Sequence, residues 1–425
     1  MKVLVTGGGI GGLTSALSLA AAGIEVEVFE KTPTIQAVGV GINLQPNAVR
    51  ELTELGLGDE LGAVAIETST LAYYNRFGQV IWSEPRGRAA GYAWPQYSID
   101  RGDLHMILLA ATQKRIGASC IFTGHRLVSF EQSSGAVIAY FVDSTGTPLP
   151  PRKGDVLIGA DGIHSAVRAQ LYTKEGPPVS SGRIQWRGVV EAEPFLDGRS
   201  HVTIGSRNCR AVVYPISESA RQRGRSVINW VTVLGQQAAS HQPGTWDRRA
   251  SRQRFFAHFR DWNFDWLAFA DLVAATGEIY EYPKDDRDPL PRWSFGRVTL
   301  LGDAAHPMRP IGSQAGSQAV VDSRVLALAL ATAGSIEDGL AAYERQRLPV
   351  MNEIILKNRE FGPSIIMDMA EARAPNGFHD IEAVIPRREL EEISHSFKVA
   401  AGFEPEALNR RPSLSPKRKY RAKTT

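Results

Sequence analysis

The sequence predicts an α/β fold: a Rossmann-like doubly wound domain, interrupted by an inserted β-sheet domain and followed by C-terminal helices. Three observations carry this. The chain opens with strand, glycine-rich turn, helix and second strand within 30 residues. A strand running into a small-residue turn and helix returns near residue 300, and a long run of alternating β-type segments lies between the two. A length of 425 residues suggests two or three domains, and 43% hydrophobic with 22% charged residues is an ordinary globular composition. The expected division is a discontinuous first domain from 1–70, 98–182 and 285–360, and a β-rich domain from 71–97 and 183–284. A helical segment over 361–408 and a basic, disordered tail over 409–425 complete it.

Val3, Leu4 and Val5 form the first strand, and Gly7-Gly8-Gly9-Ile10-Gly11-Gly12 satisfies G-x-G-x-x-G at Gly7, Gly9 and Gly12. A helical run over 13–22 stops at Gly23, and a second strand over 25–30 ends on Glu30. In this pattern Gly7 makes the tight turn, Gly9 lets the backbone approach a pyrophosphate, and Gly12 lets the helix close on the sheet. Ile10 enters the helix, whose N-terminus turns about half a positive charge toward phosphates. Glu30 is placed to accept hydrogen bonds from a ribose diol. This end is expected to bind an ADP moiety.

Next come Gly39-Val40-Gly41 and a helix over 46–55, with Pro46 at its first position and Gly56 past its end. Aromatic residues crowd 71–97, a helix follows over 102–115, and short strands are expected over 126–131, 136–142 and 156–159. The last of these runs into Ala160-Asp161-Gly162 and then a helix, where Asp161 can cap the helix or face a pyrophosphate. Residues 183–193, 201–206, 210–216 and 226–234 read as an antiparallel sheet. In its first strand Ile184, Trp186, Gly188 and Val190 alternate with Arg183, Gln185, Arg187 and Val189. The aromatic cluster over 255–266 reads as domain packing. A strand over 298–301 then enters Gly302-Asp303-Ala304-Ala305-His306-Pro307. That places a carboxylate and free backbone N–H groups at the carboxyl end of a strand, where open α/β sheets bind ligands. His306 reads as structural, with no partner in view to make it a base.

Taken in order, G-x-G-x-x-G, then A-D-G-x-x-S-x-V-R over 160–168, then G-D-A-A-H-P over 302–307 resemble the class A flavin-dependent aromatic monooxygenases. This is the family of para-hydroxybenzoate hydroxylase, salicylate hydroxylase and the phenazine-carboxylate hydroxylases. The likeness covers about residues 1–360. It extends to the phenazine-type members at Val38-Gly39-Val40-Gly41-Ile42-Asn43, Tyr97-Ser98-Ile99-Asp100-Arg101-Gly102, Trp186-Arg187-Gly188 and Asp286-Arg287-Asp288-Pro289-Leu290-Pro291.

The resemblance implies a GR2-type FAD-binding domain with non-covalent FAD, and NAD(P)H as a transient reductant without a domain of its own. It further implies O2 and a small aromatic substrate, hydroxylated through a flavin C4a-hydroperoxide, in some members with loss of CO2. By the same resemblance Glu30 holds the adenosine ribose with Lys31 beside it, Leu127 lies along the adenosine, and Arg101 pairs with the pyrophosphate. Asp303 binds the ribityl or pyrophosphate part, and Gly39 and Gly41 lie on a mobile loop by the ring. Gly312, Gln314, Ala315 and Gly316, in the loop from Pro310, turn backbone N–H groups toward the flavin pyrimidine. Here the chain has Ala315 where relatives often carry glycine, and Gly316 where they often carry alanine.

The expected substrate face is Trp186, Tyr214, Met308 and Pro310, with Arg187 on a substrate carboxylate and Tyr214 and Pro310 nearest the chemistry. Trp186 and Tyr214 read equally well as core aromatics, and Arg187 as a salt-bridge residue. Two other functions share the fold: a reductase or dehydrogenase without oxygen insertion, and a non-catalytic nucleotide-binding protein.

Composition narrows the field. Cys120 and Cys209 lie far apart, so no disulfide framework, metal cluster or C-x-x-C redox pair is expected. The longest apolar run, 325–333, is too short to span a bilayer. Seven of the Lys and Arg residues fall within 409–425, and without them the net charge of +3 becomes −4. The body therefore offers no basic stripe for nucleic acid. A cytoplasmic monomer or homodimer is expected.

Overall fold

The computed structural model describes residues 1–37, 39–235 and 248–416. Val38 of the glycine-rich loop and residues 417–425 of the basic tail lie outside the described residues.

Five parallel strands form the first sheet, in the order Ile121–Phe122, Glu25–Phe29, Lys2–Thr6, Val156–Gly159 and Val298–Leu300, with Ser294–Phe295 antiparallel at one edge. Val3, Leu4, Val5, Val156, Leu157 and Ile158 are all fully buried. Such continuous apolar runs belong to strands covered on both faces. From Lys2–Thr6 the chain crosses through helix Ile10–Ala21 to one neighbour, Glu25–Phe29, and much later supplies the other neighbour, Val156–Gly159. The strand order therefore reverses beside Lys2–Thr6, and a crevice opens there at the carboxyl ends. Helix Ile10–Ala21 packs against helices Arg101–Ile116 and Ala315–Thr332. A three-stranded sheet, Arg126–Gln132, Val137–Val142 and Arg152–Gly154, joins the core through Phe141, whose ring stacks on Phe29 at 4.4 Å.

The second sheet has eight strands: Arg248–Arg249, Ile279–Asp286, Val179–Ala192, Ser226–Gly235, Cys209–Pro215, His201–Gly205, Thr70–Tyr74 and Val80–Pro85, in that spatial order. One face carries Ile184, Trp186, Val213 and Trp230 into a core with Phe255, Phe259 and Phe269. The opposite parity, Gln185, Arg187, Arg210, Val212 and Tyr214, faces a cavity. The glycine-rich segment becomes strand Gly41–Leu44, paired with Tyr97–Asp100 in a small third sheet.

Helices Ile365–Arg373 and Arg387–Ala400 pack on the second sheet through Ile366, Met367 and Leu390 against Tyr73 and Ile81. The expected disordered tail begins too early, because residues 409–416 are docked. Arg50 donates to the carbonyls of Leu408 (2.9 Å) and Arg411 (2.6 Å), Ser413 to Glu54 (2.6 Å) and Arg324 to Ser415 (2.7 Å). The reason is electrostatic. Glu51 is completely buried, and Arg324 and Arg411 both pair with its carboxylate.

Arg168 joins the second and third motifs. Its guanidinium, 1% exposed, donates to the carbonyls of Ala304 (3.1 Å), Ala305 (3.0 Å) and Asp288 (3.2 Å), and pairs with Glu175 at 2.5 Å. Replacing Arg168 with Met leaves three carbonyls without this donor and Glu175 with only Arg287 as its cation among the described residues. It should lower stability by about 3 kcal/mol, read as a fall in the urea midpoint together with loss of bound flavin; an unchanged midpoint would refute the assignment.

Candidate active site

A cavity of about 670 Å³ runs from the crevice of the first sheet to the polar-parity face of the second. Its floor is made by the carboxyl ends of three parallel strands, which contribute Gly9, Ile10 and Gly11, then Ala160, Asp161 and Gly162, then Gly302 and Asp303. The glycines divide the work by space. A Cβ on Gly12 would sit 1.8 Å from the Gly7 carbonyl oxygen, so only glycine lets helix Ile10–Ala21 close on the turn. A Cβ on Gly9 would meet nothing within 4 Å, so the backbone there is open to a ligand.

Asp100 caps the helix that carries Arg101, accepting from the Gly102 N–H at 2.7 Å. This sets the Arg101 guanidinium on the cavity wall, where Asp303 also stands exposed to the cavity. Burial within the protein pushes the Asp303 carboxyl up, with His306 and Arg101 acting in the other direction. Asp161 both lines the cavity and caps helix Ala166–Leu171, accepting from the Ala166 N–H at 2.7 Å. Across the floor, helix Ala315–Thr332 points its N-terminus at the cavity. No side chain caps it, and Gly312, Ser313, Gln314, Ala315 and Gly316 all line the wall. Its first-turn N–H groups form a positive pole suited to an anionic ring. Ser313 adopts φ 54°, so this loop holds a left-handed, non-glycine residue at the cavity edge.

His306 has a partner after all. Its Nε2 lies 2.5 Å from Asp322 of helix Ala315–Thr332, and Arg347 reaches the same carboxylate at 2.7 Å. Burial raises the Asp322 carboxyl, but these two neighbours outweigh it and hold it below its ordinary range. His306 is thereby structural, locking the Gly302-Asp303 turn to the helix that follows.

On the roof, Tyr214 stacks on His201 with ring centroids 4.9 Å apart. Burial pushes the Tyr214 hydroxyl up to about 12, opposed by the Arg187 cation. Burial likewise drives His201 down to about 3, so the ring is neutral. Arg187 donates to the Gly41 carbonyl at 2.7 Å, tying the glycine-rich segment to the sheet. Gly41 cannot be larger, because a Cβ would lie 2.6 Å from the Tyr214 ring.

Of the residues singled out in the sequence, Gly9, Ile10, Lys31, Gly41, Arg101, Asp161, Arg187, Tyr214, Asp303, Met308, Pro310, Gly312, Gln314, Ala315 and Gly316 line this one cavity. Gly7, Gly12 and Gly39 shape its loops without lining it. Glu30 accepts from the Gly8 N–H (2.7 Å) and the Thr32 N–H (2.9 Å), buttressing the glycine turn. Leu127 sits in the core, 6% exposed. Trp186 is the clear correction. It stacks on Phe255 at 4.9 Å and donates to Glu281 at 2.8 Å on the far face of the sheet, because its parity matches the domain core. Sequence reasoning missed Tyr73, His201, Arg210 and Lys284 on the cavity wall, and Ile366, Leu390 and Phe397 from the C-terminal helices. Strand parity read from Tyr214 would have found Arg210 and Val212.

A strand-order reversal, a glycine turn opening a helix, and Arg101 and Asp303 facing the crevice define a dinucleotide-binding protein of the Rossmann-like kind. A family model for the FAD binding domain matches residues 1–357, and the chain belongs to that family. It is 42% identical over 362 residues to a phenazine 1,6-dicarboxylic acid hydroxylase of Lysobacter antibioticus, covering 84% of this chain and 89% of the relative. It is 31% identical over 405 residues to a 3-hydroxybenzoate 6-hydroxylase of Polaromonas naphthalenivorans, covering 89% and 94%. The fold is shared with the solved structure of Klebsiella pneumoniae HpxO complexed with FAD and uric acid (TM-score 0.72, 24% identity, 95% of this chain and 96% of that one). A salicylate hydroxylase substrate complex matches at TM-score 0.70 and 22% identity, over 97% and 99% of the two chains. The resemblance to class A flavin-dependent aromatic monooxygenases therefore holds, and FAD is the cofactor. Among the described residues no helix is long and apolar enough to cross a membrane, and no cluster could hold a metal ion.

Three outcomes follow for the cofactor cradle. Gly12→Ala should abolish the folded flavoprotein, whereas Gly9→Ala should keep the melting temperature and lose FAD; Asp303→Ala should also lose FAD, and full occupancy in either of the last two would contradict the floor described here. For pH, a histidine whose folded value lies near 3 against an ordinary 6.5 binds fewer protons than the unfolded chain between those limits. Stability is then lost as pH falls below 6.5, by about 1.4 kcal/mol per unit. His201→Asn should flatten the melting temperature over that window, and an equally steep decline would show that His201 is not buried neutral.

Proposed function

We propose that this chain hydroxylates an aromatic substrate held between the second sheet and the loop Met308–Pro310, using FAD, O2 and a reduced nicotinamide nucleotide. The carrying observation is one cavity that joins a dinucleotide floor to a roof where Tyr214, Val212 and Val231 stand among polar side chains. The reading is favoured over a reductase without oxygen insertion because the relatives aligned with most of this chain are hydroxylases. Bound FAD supplies the oxygen activation and transfer; the residues described here do the positioning.

Arg101 and the helix Ile10–Ala21 N-terminus take the pyrophosphate, Asp161 and Asp303 the polar chain, and the Ala315–Thr332 N-terminus the pyrimidine edge of the ring. Tyr214, kept protonated by burial, offers a hydroxyl donor to a substrate phenol, while the neutral His201 ring fixes its plane. Met308 and Pro310 press the substrate from below, and Val212 and Val231 from above, excluding water. The chain carries one G-x-G-x-x-G. NAD(P)H therefore visits the cavity mouth rather than a domain of its own. Two free cysteines, Cys120 and Cys209, suit a reducing cytoplasm.

The test is coupled turnover. Substrate-dependent NAD(P)H oxidation should consume O2 and yield a product heavier by one oxygen, or hydroxylated with loss of CO2. Oxidation with a reduced product and no oxygen uptake would favour the reductase instead. Tyr214→Phe should keep FAD and lower kcat/KM by about 10- to 100-fold, and an unchanged value would remove Tyr214 from the site.

A further inference from the structure

We propose that Arg210 and Lys284 form an anion subsite at the end of the cavity remote from Tyr214, and that it receives a carboxylate of a polycyclic aromatic substrate. This rests on the aromatic-hydroxylase reading above and names its substrate class.

Arg210, Val212 and Tyr214 alternate along one face of strand Cys209–Pro215, and all three line the cavity. Four residues of strand separate Arg210 from Tyr214 by about 13 Å, far more than a single ring spans. Lys284, from strand Ile279–Asp286, stands on the same wall. Both cations are deeply buried, Arg210 3% and Lys284 4% exposed. Neither side chain makes a hydrogen bond or an ion pair among the described residues. The Arg210 Nε has no partner, and its guanidinium lies 4.8 Å over the Phe361 ring.

The surroundings add positive charge rather than remove it. Arg183, Lys284 and Arg309 line one small recess with Arg207 and Arg359. The acids nearby are already engaged. Asp286 takes Arg359 at 2.9 Å and Arg309 at 3.2 Å, and Asp368 takes the Arg207 backbone N–H at 2.8 Å and its Nε at 2.7 Å. Burial, and then the like charges of Arg210, Arg183, Arg309 and Arg207, hold the Lys284 ammonium well below its ordinary value. A buried, uncompensated cation pair is costly unless an anion completes it. Arg187, the cation at the other end, is already held by the Gly41 carbonyl. A carboxylate can bridge Arg210 and Lys284, while the fused rings lie over Val212 toward Tyr214.

The experiment is an equilibrium titration of the oxidised FAD holoenzyme, followed by the perturbation of flavin absorbance. The probes are phenazine-1-carboxylate and the neutral, near-isosteric phenazine-1-carboxamide. No turnover is involved, so a failure of hydroxylation does not affect the result. The wild type should bind the acid about 10- to 100-fold more tightly than the amide. Arg210→Met and Lys284→Met should each lose most of that preference, the double variant all of it, and Arg210→Lys should recover part. Without ligand the double variant should retain FAD and melt no lower than the wild type, since an uncompensated charge pair has gone. Two results would overturn the proposal: no preference in the wild type, or preference retained in the double variant.

Discussion

The fold of the cavity floor depends on one buried guanidinium. Arg168 lies in helix Ala166–Leu171, directly after the Ala160-Asp161-Gly162 turn, yet its hydrogen bonds end on Ala304, Ala305 and Asp288. Two segments that follow it by 120 and by 136 to 137 residues are thereby fixed around a single planar donor. Only arginine has enough donors in one rigid plane for this task. Asp161 and Asp303 face one cavity because the turns that carry them are tied together behind the floor. The His306–Asp322–Arg347 cluster repeats the device one layer back, coupling the Gly302-Asp303 turn to the helix whose N-terminus meets the ring.

The second sheet shows how a single strand serves two masters. Val179–Ala192 gives alternate residues to a closed aromatic core, where Ile184 and Trp186 are buried, and to the cavity, where Gln185 and Arg187 are half-buried. Aromatic size therefore does not reveal which parity meets the ligand. Trp186 looked like a substrate residue because it is large and aromatic, and it belongs to the core for the same reason. The polar members of the strand, Gln185 and Arg187, mark the cavity side. A sheet with one wet face would have displayed that distinction directly.

Much of the first domain was legible because its constraints are local. The glycine turn, the Pro46 helix start, the Asp100 cap before Arg101 and the Gly302-Asp303 junction each announce themselves within a few residues. What escaped was set by contacts distant in sequence. The partner of His306 arrives 16 residues later on another element. The anchors of residues 409–416 lie some 360 residues earlier, at Arg50, Glu51 and Glu54. Basic composition suggested a free tail, but composition does not show that a buried Glu51 is waiting for a cation. Arg210 and Lys284 were silent for a similar reason, since their meaning comes from the lack of an acid beside them in space.

The docked C-terminal segment has a consequence for how the protein matures. Ile366, Leu390 and Phe397 close the wall of a cavity whose floor draws on residues 9–11, 160–162 and 302–303. Domains take shape in the order in which the chain emerges. The cradle for the dinucleotide is therefore complete only once residues 302–316 have emerged, and it stays open-sided until the C-terminal helices follow. FAD has a wide approach to a half-built site during that interval. The final helices, clamped by Arg50 and Arg324, then act as the door that shuts behind it. Loading and sealing are thus separated in time by the order of the polypeptide itself.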